Sequence, residues 1–459
     1  MLSRLAIAFT GFAERWLPDA FVFALAATVI VFVAGLAIGT APSDLIESWG
    51  RGFWELLGFT MQMALVIVTG YVVASARPVK RLIGWLASFP KSPRGAVAFV
   101  AAFAMLSSWV NWGFSLIFSA VLAREIARRT RGVDYRALAA SSLLGLGSVW
   151  AQGLSGSAAL QMATPGALPE RVRAIIAHGG VVPDGRVGFE HTVFLWQSLC
   201  SVAVELVLVT LIMWLAAPSG EAARDAQSLG IPLGAPDDDA LPAPSKPGEW
   251  LEHSPLLMML IVALGGAYLA RTFSTGLTSL TVNTINLTML LLGFALHGTP
   301  ARLMRAVREA TPATWGVILQ FPFYAGIAGM IALTRLNERI AHGFVAASSR
   351  VTFPALMAAY SAALGVFVPS GGSKWVIEAP YVMQAAHELR VHVGWVVACY
   401  DLGEALANLI QPFWMLPVLA LLGLRARDVM GYTFLVFLIL FPVVIALTLL
   451  LGATLPYPL

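Results

Sequence analysis

The chain has 459 residues, of which 58% are hydrophobic and only 12% charged, with a mean hydropathy of +0.78. Soluble domains run at about 25% charged, and ordinary cores could not hide 25 Phe and 14 Trp, so a soluble multidomain protein is excluded. The net charge of +4 is too small to argue for a nucleic-acid partner.

Stretches such as 21–36 are apolar on every side, whereas the strands of a membrane barrel would alternate. The composition therefore predicts an all-α polytopic membrane protein, because helices satisfy their own backbone in lipid. In chain order, apolar windows of about 20 residues predict nine membrane helices, at 20–40, 53–76, 137–165, 192–216, 255–272, 282–297, 313–334, 395–422 and 429–452. The first follows Glu14, Arg15 and Asp19 and is too long for a signal-peptide core, so it is read as retained. Cys200 and Cys399 lie in apolar runs and read as small buried hydrophobes.

Two more apolar regions, 95–128 and 351–386, are interrupted at mid-length. The first carries Ser107, Ser108, Asn111, Trp112, Gly113 and Ser115; the second carries Pro369, Ser370, Gly371, Gly372, Ser373 and Lys374. Pro and paired Gly oppose a plain helix interior. Each region is expected to be a re-entrant hairpin, two half-membrane helices meeting at a polar tip. Such hairpins leave sidedness unchanged, so the basic residues can orient the chain. With a cytoplasmic N-terminus, nineteen of the 29 Lys and Arg fall inside, nine fall outside, and Lys374 remains in the second hairpin. The C-terminus is then expected on the periplasmic side.

The same offset that separates Gln62 from Gln320 carries 107–113 onto 365–371, almost onto the second tip. A span with a polar break follows each hairpin, Gln152–Ser157 in the first half and Asn408–Pro412 in the second. This predicts two inverted repeats. The first is 1–216, with hairpin 95–128 and broken helix 137–165. Segment 217–254, with six prolines, seven acids and two bases, reads as a solvated cytoplasmic linker. The rest, 255–459, holds an extra span and the second repeat, with hairpin 351–386 and broken helix 395–422. Inverted repeats with broken elements place a binding site near the midplane.

At the first tip and in 153–157, Asn111, Gly113, Ser155, Gly156 and Ser157 offer small donors and exposed backbone suited to a carboxylate or a cation; close helix packing by small residues is the competing reading. Lys374 and Glu378 stand four apart and would meet on one helical face. An ionisable group inside the membrane suggests function, while mutual neutralisation is the plain alternative. Asp401, Glu404, Asn408 and Gln411 recur at three and four and share a face; their carboxylates suit a proton or Na⁺, or a structural pair with Lys374. Glu205 reads as an interhelical hydrogen-bonding group. No histidine has metal-ligand spacing, and no zinc, P-loop or Ser-His-acid signature marks an enzyme.

The segments RWLPDAFVFAL (15–25), GFWELLGFTMQMALVIVTG (52–70), VNWGFSLIFSAVLARE (110–125), GLSGSAALQMATPG (153–166), VNTINLTMLLLGFALHGTP (282–300), ILQFPFYAGI (318–327), VPSGG (368–372) and NLIQPFWMLP (408–417) together resemble the bacterial short-chain fatty acid transporter family, nearly end to end. That resemblance implies a homodimeric elevator carrier of the inner membrane that moves small monocarboxylates with a proton or Na⁺ and has no other cofactor. On this reading Asn111, Trp112, Gly113, Ser155, Gly156, Ser157, Ser370, Gly371, Gly372, Ser373, Lys374, Trp375, Asn408 and Gln411 hold the acid, with Trp112 and Trp375 at its apolar end. Asp401, Glu404, Glu378, Asn111 and Asn408 serve the ion. A carrier for another organic anion, such as a dicarboxylate, is the alternative, disfavoured because Lys374 is the only fixed cation in the core. The chain departs from the family pattern at Lys374, Glu378, Asp401 and Leu406, all around the second hairpin.

Overall fold

In the computed structural model, the described residues are 2–16, 20–55, 57–164, 166–168, 170–233, 243–274, 282–334, 339, 342–343, 346–368 and 371–459. They form helices and turns, with no strand among them. The first half contains α1 (Leu2–Trp16), α2 (Ala20–Ala37), α3 (Pro42–Phe53), α4 (Leu57–Ser75), α5 (Arg77–Leu86), α6 (Pro93–Val110), α7 (Trp112–Arg129), α8 (Tyr135–Leu143), α9 (Ser157–Ala163), α10 (Glu170–Ala177) and α11 (Trp196–Ala216). After the segment between the halves come α12 (Pro247–His253), α13 (Leu256–Phe273), α14 (Val282–His297), α15 (Pro300–Ala310), α16 (Trp315–Ala332), α17 (Phe353–Gly365), α18 (Gly371–Glu388), α19 (Val393–Ala407), α20 (Leu416–Leu422) and α21 (Ala426–Gly452).

A helix lies in each apolar window read from the sequence, and the windows 137–165 and 395–422 are broken, as their polar interruptions suggest. Among the described residues, four helices are long and apolar enough to cross a membrane, and two bent pairs raise that to six. The short helices α1, α3, α5, α10, α12 and α15 occupy stretches that hydropathy leaves as tails and loops. Their apolar residues are too few for a span but are spaced to cover one face: in α3, Leu45, Ser48 and Gly52 are buried while Arg51 and Glu47 stay outside.

Small residues set the closest crossings. A Cβ on Gly52 would stand 2.7 Å from Gly329 Cα, so α3 and α16 touch backbone to backbone. A Cβ on Gly431 would meet Thr10 N at 2.2 Å, where α1 lies on α21. Asp134, the N-cap of α8, accepts from Ala137 N (2.9 Å) and Arg224 N (2.9 Å) and from the Tyr432 hydroxyl (3.2 Å), and it pairs with Arg136 (3.4 Å). Residues 217–233 are thereby tied to the helices rather than simply solvated: Ala226 is buried, and the Pro232 and Leu233 carbonyls accept from Arg124.

Candidate functional site

The helices α6 and α7 fold back on each other about a single residue. Ser115 Oγ of α7 donates to the Ala104 carbonyl of α6 (2.7 Å). Asn111 is the hinge, extended at φ −156° and ψ 120°, and its Oδ1 caps α7 by accepting from Phe114 N (2.8 Å). Only the amide Nδ2 of Asn111 is left over as a donor. Ser107 and Ser108 belong to α6 itself, so the tip is narrower than the 107–113 stretch expected; Ser107 Oγ donates back to Phe103 O (2.6 Å).

That tip docks on the break between α8 and α9. Trp112 N donates to Ser155 Oγ (3.0 Å), and Leu154 N donates to the Trp109 carbonyl (2.8 Å). A Cβ on Gly153 would stand 2.1 Å from Trp109 O, and one on Gly156 would stand 2.2 Å from Ala151 O, so both positions admit only glycine. The 153–157 stretch thus divides by residue type. Its glycines allow close approach, and its Ser155 accepts from the backbone of the neighbouring tip.

The second interrupted region reaches the same stretch from the other half of the chain. Gly371 and Gly372 open α18 instead of lying in the break, because a helix start needs no upstream hydrogen bond and tolerates Gly. Pro369 and Ser370 lie outside the described residues, as does the side chain of Ser373. Gln161 Nε2 of α9 donates to the Gly372 carbonyl (2.8 Å), and a Cβ on Gly371 would stand 3.3 Å from Ser157 Oγ. The broken helix of the second half also crosses that of the first: Asn408 Nδ2 donates to the Leu146 carbonyl (3.0 Å). Gln411 Nε2 donates to Asn408 Oδ1 (2.9 Å), and Gln411 Oε1 accepts from Phe413 N (2.7 Å), which holds the break at 408–412 in shape.

Of the two pairings open for Lys374, the buried charges take the one with the carboxylates of the following span, not the one four residues along α18. Lys374 Nζ forms its ion pair with Glu404 Oε2 of α19, and it also donates to the Ser361 carbonyl (3.2 Å) and hydroxyl (3.3 Å) of α17. Glu378 is held instead by two hydroxyls, Tyr360 at 2.8 Å and Tyr400 at 2.6 Å. The helix α18 puts residues 374 and 378 on one face, but α17 and α19 enclose that face and offer closer partners to each. Lys374 also lies 5.1 Å from the centre of the Tyr400 ring. Asp401 reaches across to α9, its two oxygens accepting from Ala158 N (3.1 Å) and Ala159 N (3.0 Å). These two N–H groups are among the orphan donors of a helix start, so Asp401 acts as a cap supplied by the other half of the chain.

Trp112 and Trp375 have separate partners. Trp112 lies edge-on to Trp414 (5.2 Å between ring centres), while Trp375 is fully buried against Tyr400 (4.7 Å). Sequence reasoning missed Gln161, Tyr360, Ser361 and Tyr400. Only the two tyrosines left a signal, as hydroxyls in otherwise apolar windows that also contain an acid. Glu205 is buried in α11; its Oε1 accepts from Gln152 Nε2 (2.6 Å) and Ser201 Oγ (3.0 Å), and its Oε2 has no hydrogen-bond partner. A cavity of about 210 Å³ reaches Gln161 and Thr164 from a rim that carries Arg173 and Arg186. Among the described residues, no group of three or more His, Cys, Asp or Glu is placed to hold a metal.

The tip at Asn111 and the start of α18 thus both reach residues 153–161. The model of a family described as short chain fatty acid transporter matches residues 1–451. This chain belongs to the short-chain fatty acid transporter family. A relative from Escherichia coli K12, provisionally named a short-chain fatty acid transporter, is 40% identical over 433 residues, covering 94% of this chain and 96% of its own. One from Haemophilus influenzae with the same provisional name is 35% identical over 436 residues, again covering 94% and 96%. Among solved structures, the YdaH transporter of Alcanivorax borkumensis aligns with 96% of this chain and 99% of its own at 17% identity and a TM-score of 0.41. MtrF of Neisseria gonorrhoeae, titled as one of a class of antimetabolite efflux pumps, aligns with 98% and 99% at 14% identity and a TM-score of 0.36. Family membership makes the protein a membrane transporter.

Proposed function

We propose that this family member is a secondary active carrier that moves short-chain fatty acids or related small monocarboxylates across the bacterial inner membrane. The family supplies the substrate class, and one observation supports a shared site: the tip at Asn111 and the start of α18 both contact residues 153–161. In this reading the protein has nine crossings, two re-entrant hairpins and two inverted repeats, with the N-terminus cytoplasmic and the C-terminus periplasmic. It works as a homodimer whose two-hairpin unit moves like an elevator.

Since Glu404 neutralises Lys374, the acid is met by neutral donors: Asn111 Nδ2, the Ser155 and Ser157 hydroxyls, and backbone of Gly371 and Gly372. Ser370, Ser373, Asn408 and Gln411 complete the polar lining, with Trp112 and Trp375 bounding the apolar end. A dicarboxylate would bring a second negative charge, and the paired Lys374 offers no cation to meet it, which favours monoacids. The coupling ion is a proton or Na⁺, served by Asp401, Glu404, Glu378, Asn111 and Asn408, with Glu205 added by its unpartnered oxygen.

Uptake of labelled two- to six-carbon acids into proteoliposomes, with pH and Na⁺ gradients imposed separately, tests this. The expected result is gradient-driven accumulation of the C2–C6 monoacids, accelerated when unlabelled acid is preloaded inside. Uptake indifferent to both gradients, or without counterflow, refutes a coupled carrier.

A further inference from the structure

The basic residues that orient the chain do more than decorate loops. Between α4, α5 and the far end of α7 lies an open cavity of about 1470 Å³. Among the described residues, three of its basic residues come from α5 (Arg77, Lys80, Arg81) and four from the end of α7 and the turn after it (Arg124, Arg128, Arg129, Arg131), against two acids, Glu125 and Asp225. Glu125 is already engaged by Arg128 (3.2 Å) and Arg129 (2.7 Å). Arg124 and Arg128 also donate to the Leu421, Pro232 and Leu233 carbonyls, which carry no net charge, so the described lining remains more positive than negative and attracts an anion.

The cavity is also amphipathic and placed at a particular depth. Ile83, Trp85, Ala120, Val121 and Leu421 give it an apolar wall. The helix α5 turns 82° from α4, and its Leu82 and Trp85 side chains are exposed. A short helix that combines basic residues with exposed Leu and Trp, set across the end of a membrane helix, suits the headgroup layer. Basic pockets between helices at that depth bind anionic headgroups.

We propose that this cavity holds the phosphate headgroup of an anionic phospholipid, with the phosphate among Arg77, Lys80, Arg81 and the α7 arginines and the acyl chains along the apolar wall. The inference rests on the reading that α4 crosses the bilayer. It is independent of substrate and coupling, because lipid retention is read on the purified protein without transport.

Native mass spectrometry of the full-length protein with added phosphatidylglycerol or phosphatidylcholine tests it. Phosphatidylglycerol is expected to be retained preferentially, with affinity falling about five-fold for each charge removed in an Arg81→Gln, Arg131→Gln double variant. Both side chains are exposed, so the variant is expected to fold. The control, Arg4→Gln with Arg15→Gln, changes two exposed arginines of α1 outside the cavity and is expected to leave retention unchanged. Equal losses in the two double variants would mean diffuse attraction and overturn the site. Displacement of the lipid by inorganic phosphate alone would assign the cavity to a soluble anion. Displacement by butyrate would make it a vestibule for the substrate. Either result overturns the lipid assignment.

Discussion

Lys374 of α18 meets Glu404 of α19, not Glu378 one turn along its own helix. Both members of this pair are buried, at 2% and 1% side-chain exposure. Removing one partner from a buried pair leaves an uncompensated charge, at a cost of about 3–5 kcal/mol, whereas replacing both is often neutral. Lys374→Met and Glu404→Gln are each expected to lower the unfolding midpoint in detergent sharply, and the double variant to recover most of the loss. Additive losses in a thermal-melt double-mutant cycle would show that the pair does not couple.

Asp401 holds α9 from the opposite half of the chain. Asp401→Asn keeps one carbonyl oxygen but turns an NH₂ toward a backbone N–H, leaving one buried donor unmet at a cost of about 1–3 kcal/mol. The expected phenotype is reduced stability together with lost uptake, because α9 carries the 157–161 end of the shared stretch. Normal butyrate counterflow in the variant would separate this cap from transport.

Glu205 has one carboxyl oxygen with two donors and one with none. Glu205→Gln keeps the shape and the contacts of Oε1 but cannot exchange a proton. If Glu205 carries the coupling proton, the variant keeps counterflow while losing accumulation driven by a pH gradient. Undiminished pH-driven accumulation would remove Glu205 from coupling.

His392 predicts the acid limit of stability. Its ring nitrogen caps α19 by accepting from Trp395 N (3.0 Å), and a protonated imidazole has no acceptor. Burial first, and then the neighbouring His191, lower its pKa from 6.5 to about 4. The unfolded chain therefore takes up a proton before the folded one does. Stability from this group is complete above about pH 6.5 and is lost progressively as the pH falls toward 4. Melting temperatures measured from pH 4 to 7.5 are expected to drop across that window, and His392→Asn, which still caps, to flatten the drop. An unchanged slope in the variant would place the acid sensitivity elsewhere.

Much of the architecture was legible in the chain because lipid imposes a one-dimensional rule: about 20 apolar residues per crossing, with no unpaired backbone between them. The windows at 20–40, 192–216 and 429–452 reappear as α2, α11 and α21, and the polar interruptions at Asn111 and Asn408 mark true breaks. The helices α5 and α15 were not legible that way, because hydropathy averages across an amphipathic helix and reports it as a loop.

The sequence alone determined the membrane class, the apolar helical segments, the polar breaks at Asn111 and Asn408, and the family. Tertiary structure alone decided who partners whom. Spacing along one helix shows which side chains share a face, but the partner of a buried charge is set by the helices that enclose that face. For that reason Lys374 pairs with Glu404, Glu378 with two tyrosines, and Asp401 with a helix start more than two hundred residues away in the chain.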